Sequence, residues 1–133
     1  MLIQPSLLQF TITGTILLLF ASQTFAQSKK DQLAKTWSYS GIEEFGVVRP
    51  PESTMKKDLL EIKTDASFTM IKNGKKSNGT WSLNEKAGII TLTDLKTKKT
   101  LNYNLKSVND KLLVVEYQTP DLVRTKYHYE IKE

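Results

Sequence analysis

The sequence predicts an all-β fold, an eight-stranded antiparallel up-and-down barrel with a short N-terminal helix, on three observations. From Thr36 onward apolar residues recur at every second position, while windows with helical spacing are nearly absent. Turn-forming clusters interrupt that alternation at near-regular intervals, as at Asn73-Gly74, Asn84 to Gly88, Asp94 to Lys99, Asn109-Asp110 and Thr119-Pro120-Asp121. Each resulting strand carries one apolar face, so the sheet must either fold over as a sandwich or close on itself. Short hairpins between consecutive strands favour closure, which also removes exposed edges.

The elements follow in order. Ser28 offers a helix cap with Asp31 three residues on, leading into Gln32, Leu33 and Ala34 as one or two helical turns. The first strand runs from Thr36 to Phe45, with Trp37, Tyr39 and Phe45 sharing one parity and Gly41 marking a kink or bulge. Gly46 to Met55 reads as a loop outside the sheet, because Pro50-Pro51 supplies no ladder N–H groups. The second strand, Lys56 to Lys63, points Leu60 and Ile62 inward, and the third, Ser67 to Lys72, points Phe68 and Met70. Asn73-Gly74 is the strongest hairpin signal in the chain, since both residues tolerate positive φ.

The fourth strand, Ser77 to Leu83, alternates Gly79, Trp81 and Leu83 inward; the small glycine leaves room on that face for the indole. Ile90 and Leu92 mark the fifth strand, and Leu101, Tyr103 and Leu105 the sixth. The seventh spans Lys111 to Gln118, where four consecutive apolar residues leave the parity open. The last points Val123, Tyr127, Tyr129 and Ile131 to one face and Arg124, Lys126, His128 and Lys132 to the other.

Residues 1–26 read as a secretory signal peptide. No charged residue lies between Leu7 and Ala26, Ile12 to Phe20 is largely apolar, and Thr24-Phe25-Ala26 is an acceptable cleavage signal, although no lysine or arginine precedes Gln27. The apolar run is shorter than the roughly 18 to 20 residues of a membrane span, so the expectation is an exported protein, periplasmic or secreted, with no stable membrane anchor after cleavage. Residues 27–133 form one domain.

Several chemistries are excluded by composition. There is no cysteine, which removes thiol catalysis, disulfides and Cys-based metal sites. His128 is the single histidine, predicted to face outward, so no histidine metal cluster or His-paired nucleophile can form. Glu43-Glu44 lie side by side on a strand and therefore point to opposite faces, which rules out a shared acid–base role. No phosphate loop or hydrolase motif occurs, and the net charge of +5 is not gathered into the dense basic stripe that nucleic-acid binding requires. The sequence thus predicts no enzyme, no cofactor, no metal and no nucleic-acid partner.

The stretches "DQLAKTWSYSG", "GTWSL", "LNYNLKSVNDKLLVVEY" and "KYHYEIK" resemble the small lipocalin-like domain proteins exported by Bacteroidetes-type bacteria. In lipocalins a short helix closes the barrel floor just before a first strand opening with G-x-W. Leu33 to Trp37 match that layout, except that Lys35 stands where glycine would be. The resemblance implies a calycin-type barrel that binds a small apolar molecule.

The expected function is binding of a small hydrophobic or amphiphilic ligand by Tyr39, Phe68, Met70, Trp81, Tyr103 and Tyr127, with Arg124 or Arg49 near the mouth. Trp81 reads as core filler first and as a ligand contact second. In a meander the loops after strands one, three, five and seven share one end, where Arg49, Lys75, Lys76, Lys96, Lys98 and Lys99 outnumber Glu52 and Asp121. The other end has Lys86 against Asp65, Glu85 and Asp110. If the helix covers that second end, a basic rim surrounds the mouth and favours an anionic head group; solubility alone also accounts for turn lysines. The alternative is a filled barrel that acts as a protein-interaction or inhibitor module through its outer surface, for which Pro50-Pro51 and an outward Ile71 are the first places to look.

Overall fold

Ser28 is a helix cap: its side chain accepts a hydrogen bond from the Asp31 amide at 3.2 Å and starts α1, Lys29–Leu33. The computed structural model describes residues 28–133, so the signal-peptide reading lies outside the described residues. Nine strands follow: β1 (Thr36–Glu44), β2 (Val47–Arg49), β3 (Leu59–Ile62), β4 (Ser67–Lys72), β5 (Lys75–Asn84), β6 (Ile89–Asp94), β7 (Thr100–Val108), β8 (Leu112–Gln118) and β9 (Arg124–Ile131).

Eight of them close into an antiparallel barrel. Strands β3 to β9 pair in chain order, and β1 pairs with β3 on one side and β9 on the other, bringing Trp37 opposite Ile131 and Tyr39 opposite Tyr129. The ninth, β2, is a short flap hydrogen-bonded to the upper part of β1. Inward residues Trp37, Leu60, Ile62, Phe68, Met70, Trp81, Ile90, Leu92, Tyr103, Leu113 and Val115 are buried and form one continuous core. The open question of β8 is resolved by Leu113 and Val115 pointing in.

Two segments depart from expectation for one reason. The register of β1 against β9 shifts between Tyr39 and Gly41, a bulge that leaves Ser40 unpaired and exchanges the faces beyond it. Ile42 therefore packs on the core opposite Tyr127, while Phe45, expected to share the face of Trp37 and Tyr39, stands exposed at a hairpin tip. Phe45 and Gly46 both take positive φ, 51° and 77°, the backbone that a two-residue hairpin needs. The chain thus returns as β2, with Glu44 opposite Val47, where a loop outside the sheet was expected. Pro50-Pro51 ends that strand, and a 3-10 turn at Ser53–Met55 delays β3 to Leu59 rather than Lys56.

Gly79 is inward, as expected, but for a different reason than room for Trp81. A Cβ there would lie 1.8 Å from the Thr93 carbonyl oxygen, so the glycine is required by the close approach of the β6 backbone.

The helix closes one end of the barrel. Leu33 is buried, its carbonyl accepts the Trp37 indole N–H at 3.0 Å, and Lys35 pairs with Asp110 in the β7–β8 turn at 3.4 Å. Lys35 also lies 6.0 Å from the centre of the Trp37 ring. The turns at 63–66, 85–88 and 109–111 share this floor; those at 45–46, 73–74, 95–99 and 119–123 crowd the other end.

Candidate functional site

The upper barrel is built largely from tyrosine. All five tyrosines of the chain form one sequence of ring contacts: Tyr129 to Tyr39 at 5.9 Å between centres, Tyr39 to Tyr127 at 6.3 Å, Tyr127 to Tyr103 at 6.0 Å and Tyr103 to Tyr117 at 6.3 Å. The last two are edge-to-face, a favoured arrangement of aromatic quadrupoles. Strand alternation places them: Tyr127 and Tyr129 are two apart on β9, and Tyr39 lies directly opposite Tyr129 on β1, just below the bulge.

Among the described residues no hydrogen bond joins a tyrosine hydroxyl to protein, yet no polar side-chain atom is sealed away without a partner. The phenol oxygens therefore reach open space. Burial pushes the pKa of Tyr129 well above the ordinary tyrosine value and raises those of Tyr103, Tyr127 and Tyr39, so all four stay neutral donors at neutral pH.

For Tyr39, Tyr127 and Tyr129 that space includes two adjoining cavities under the mouth. One, about 160 Å³, lies against Tyr39, Tyr127 and Tyr129, with Ile42 and Met55 as apolar wall and Asp58 and Lys72 at its polar side. The other, about 260 Å³, shares Tyr39, Ile42 and Met55 and extends under the β2 flap to Glu44, Arg49, Pro50 and Glu52. Met55 reaches both from the 3-10 turn that crosses the mouth.

The charged groups of the site differ in how they are occupied. Buried Asp58 accepts the amides of Asn73 at 2.8 Å and Gly74 at 3.3 Å, so its carboxylate is spent holding the β4–β5 turn. Glu44 accepts the Thr125 hydroxyl at 3.2 Å. Lys72 has no carboxylate within ion-pair distance among the described residues. The residue as a whole is exposed, and its ammonium lies over the Tyr127 ring at 5.1 Å. Burial of that end lowers its pKa, with Asp58 acting in the opposite direction.

Of the residues expected at the site, Tyr39 and Tyr127 meet in the smaller cavity and Arg49 lines the larger. Phe68 and Met70 border a separate hollow of about 180 Å³ on the opposite wall, with Leu92, Leu101 and Lys99. Tyr103 is 1 % exposed behind Tyr127. Trp81 sits at the floor, its indole N–H donated to the Lys63 carbonyl at 2.8 Å, away from every cavity named here. Arg124 begins β9 in solvent and borders none of them. His128 faces outward, 3.1 Å from Glu43.

Sequence reasoning missed Asp58, Lys72, Ile42 and Met55. A signal existed for two of them: Asp58 shares parity with Leu60 and Ile62, and Lys72 with Phe68 and Met70, so both are charged residues in line with an apolar face. Ile42 was hidden by the bulge and Met55 by its place in a turn. Among the described residues no three His, Asp or Glu side chains are placed to hold one metal ion.

No protein-family model and no curated protein matches the chain. Solved structures do. A lipocalin-like protein from Bacteroides uniformis superposes with a TM-score of 0.58 at 16% identity, over 76% of this chain and 99% of that one. A DUF4847 family protein from Bacteroides vulgatus superposes with a TM-score of 0.54 at 12% identity, over 74% and 92%. At such identities the likeness establishes the fold: a lipocalin-like antiparallel barrel with a short N-terminal helix.

Proposed function

We propose that this chain is an exported, non-enzymatic binding protein for a small amphiphile, held under the mouth with its apolar part against Tyr39, Tyr127 and Tyr129 and an anionic head beside Lys72 and Arg49. The observation that carries the reading is a cavity walled by neutral phenols with no protein acceptor and edged by a lysine with no carboxylate within ion-pair distance among the described residues. Such a lining has apolar area for a hydrocarbon, donors for oxygen atoms and two cations, Lys72 and Arg49, set among the carboxylates of Asp58, Glu44 and Glu52.

Size narrows the ligand class. An apolar cavity of about 150 Å³ is enough for a single benzene ring, and sites for drug-sized ligands start at about 300 Å³. The smaller cavity suits one ring or a short chain; only with the adjoining one does the site take a longer molecule. A single-ring or medium-chain carboxylate is the best match, and a bulky polycyclic ligand is not.

The test is native mass spectrometry of protein from its own host, followed by titration of the folded domain with benzoate, hexanoate and decanoate while tyrosine ring signals are followed by NMR. Binding of a carboxylate with shifts at Tyr39, Tyr127 and Tyr129, weakened in Lys72→Met and absent for the matching alcohol, is the expected result. An empty protein that binds no member of the series would overturn it and leave the outer surface as the place to seek activity.

A further inference from the structure

The exposed apolar residues are distributed unevenly. Six large apolar side chains are strongly exposed among the described residues, and five of them, Phe45, Val47, Val48, Leu95 and Leu122, belong to the segments that form the mouth end. Only Leu112 lies at the floor. The two most exposed, Phe45 at 88% and Leu122 at 74%, occupy turn tips at positive φ, 51° and 67°. Bulky L-residues rarely adopt that backbone, and glycine or asparagine is the usual occupant.

These tips are held in place. The Leu122 amide bonds the Thr119 carbonyl at 2.9 Å, while the Thr119 hydroxyl meets both Asp121 and the backbone of Val123. Glu44 pairs with Thr125, so the Phe45 tip and the Leu122 turn leave the barrel side by side at the β1–β9 seam. Around the same rim stand Arg49, Lys75, Lys76, Lys96, Lys98, Lys99 and Arg124, all exposed. Of the acids there, Glu52 is exposed beside Arg49, Asp94 is engaged by the amides of Lys96 and Thr97 at 2.8 and 3.0 Å, and Asp121 by Thr119, so the cations outnumber them.

We infer that the mouth end docks on an anionic lipid bilayer, with Phe45 and Leu122 entering the headgroup region and the surrounding lysines and arginines on lipid phosphates. Apolar tips encircled by cations match the two-layer chemistry of such a surface, apolar below and negative above. A protein surface of one sign offers the charge without the apolar layer. Binding of this kind is peripheral and reversible, since a few side chains cannot anchor a protein permanently. The inference stands whether or not the cavity holds a guest; if both hold, the mouth opens toward the phase in which an amphiphile dissolves.

The test is flotation of the chain from Gln27 onward, which contains every described strand, with phosphatidylcholine vesicles and with vesicles containing phosphatidylglycerol. Association with the anionic vesicles only, falling as salt rises, is the expected result. Phe45→Asn with Leu122→Asn should lower the partition coefficient by roughly tenfold or more. The thermal midpoint should stay level or rise, because asparagine accepts positive φ. Lys96→Glu with Lys98→Glu tests the charge separately and should weaken binding in low salt. No association with anionic vesicles, or binding unchanged in the Asn variant, overturns the inference. Failure of carboxylates to bind the cavity, with vesicle binding intact, would remove only the ligand reading.

Discussion

The floor and the mouth of this barrel use aromatic residues in opposite ways. At the floor both tryptophans are buried and both indole N–H groups are committed to backbone carbonyls, Trp37 to Leu33 and Trp81 to Lys63. At the mouth, five tyrosines make ring-to-ring contacts but leave their hydroxyls without a protein partner among the described residues. A buried polar group with its partner built in contributes to one fold; a buried polar group facing a cavity is available to something else. The same residue class therefore seals one end and equips the other.

The largest effect that would break this contrast is at the floor. Trp37 is fully buried, fills the space beneath the helix and fixes it through Leu33, so Trp37→Ala should cost about 3–5 kcal/mol, measured by urea denaturation. Carboxylate affinity of the fraction that remains folded should be unchanged. If the variant loses ligand affinity but little stability, the floor is part of the site and the division between the two ends is wrong.

A second, intermediate effect concerns alkaline pH. Burial raises the pKa of Tyr129, Tyr103, Tyr127 and Tyr39 in the folded chain, so above about pH 10 the unfolded chain releases protons that the native barrel retains. Stability is then full below that pH and falls as pH rises toward the folded-state values. The urea midpoint should drop above about pH 10, and most phenolate absorbance should appear together with unfolding. Phenolate formation at ordinary tyrosine pH in a barrel that stays folded would mean that the mouth is wetter than its packing indicates.

The same division explains how far the sequence was legible. Strand alternation located Trp37, Trp81, Tyr103, Tyr127 and Tyr129 because period two survives wherever the ladder is regular. It failed at Phe45 because one unpaired residue, Ser40, exchanged faces, and a bulge has no compositional mark beyond the nearby glycine. The +5 charge and the turn lysines indicated a basic end, and closure by α1 at the opposite end gives that asymmetry its meaning. Asp58 and Lys72 were in line with apolar neighbours and were passed over because charged residues near strand ends are ordinarily solvated. Cavity shape was not legible at all, since Met55 reaches it from a turn whose path no local pattern encodes.

The smallest expected effect sharpens the contrast most. Tyr39→Phe and Tyr127→Phe each remove a hydroxyl that bonds no protein group among the described residues while leaving ring contacts intact, so each should change stability by less than about 1 kcal/mol. The same substitutions should weaken carboxylate binding, because the phenol donor is lost where the head group or a bridging water would accept it. The informative quantity is the ratio of the two effects, read from urea denaturation and calorimetric titration on the same preparations. A loss in affinity that exceeds the loss in stability marks the hydroxyls as ligand-directed. A loss confined to stability would show that water-mediated bonds tie the tyrosines to the barrel as firmly as Leu33 and Lys63 tie the tryptophans, and the mouth would then be a second floor.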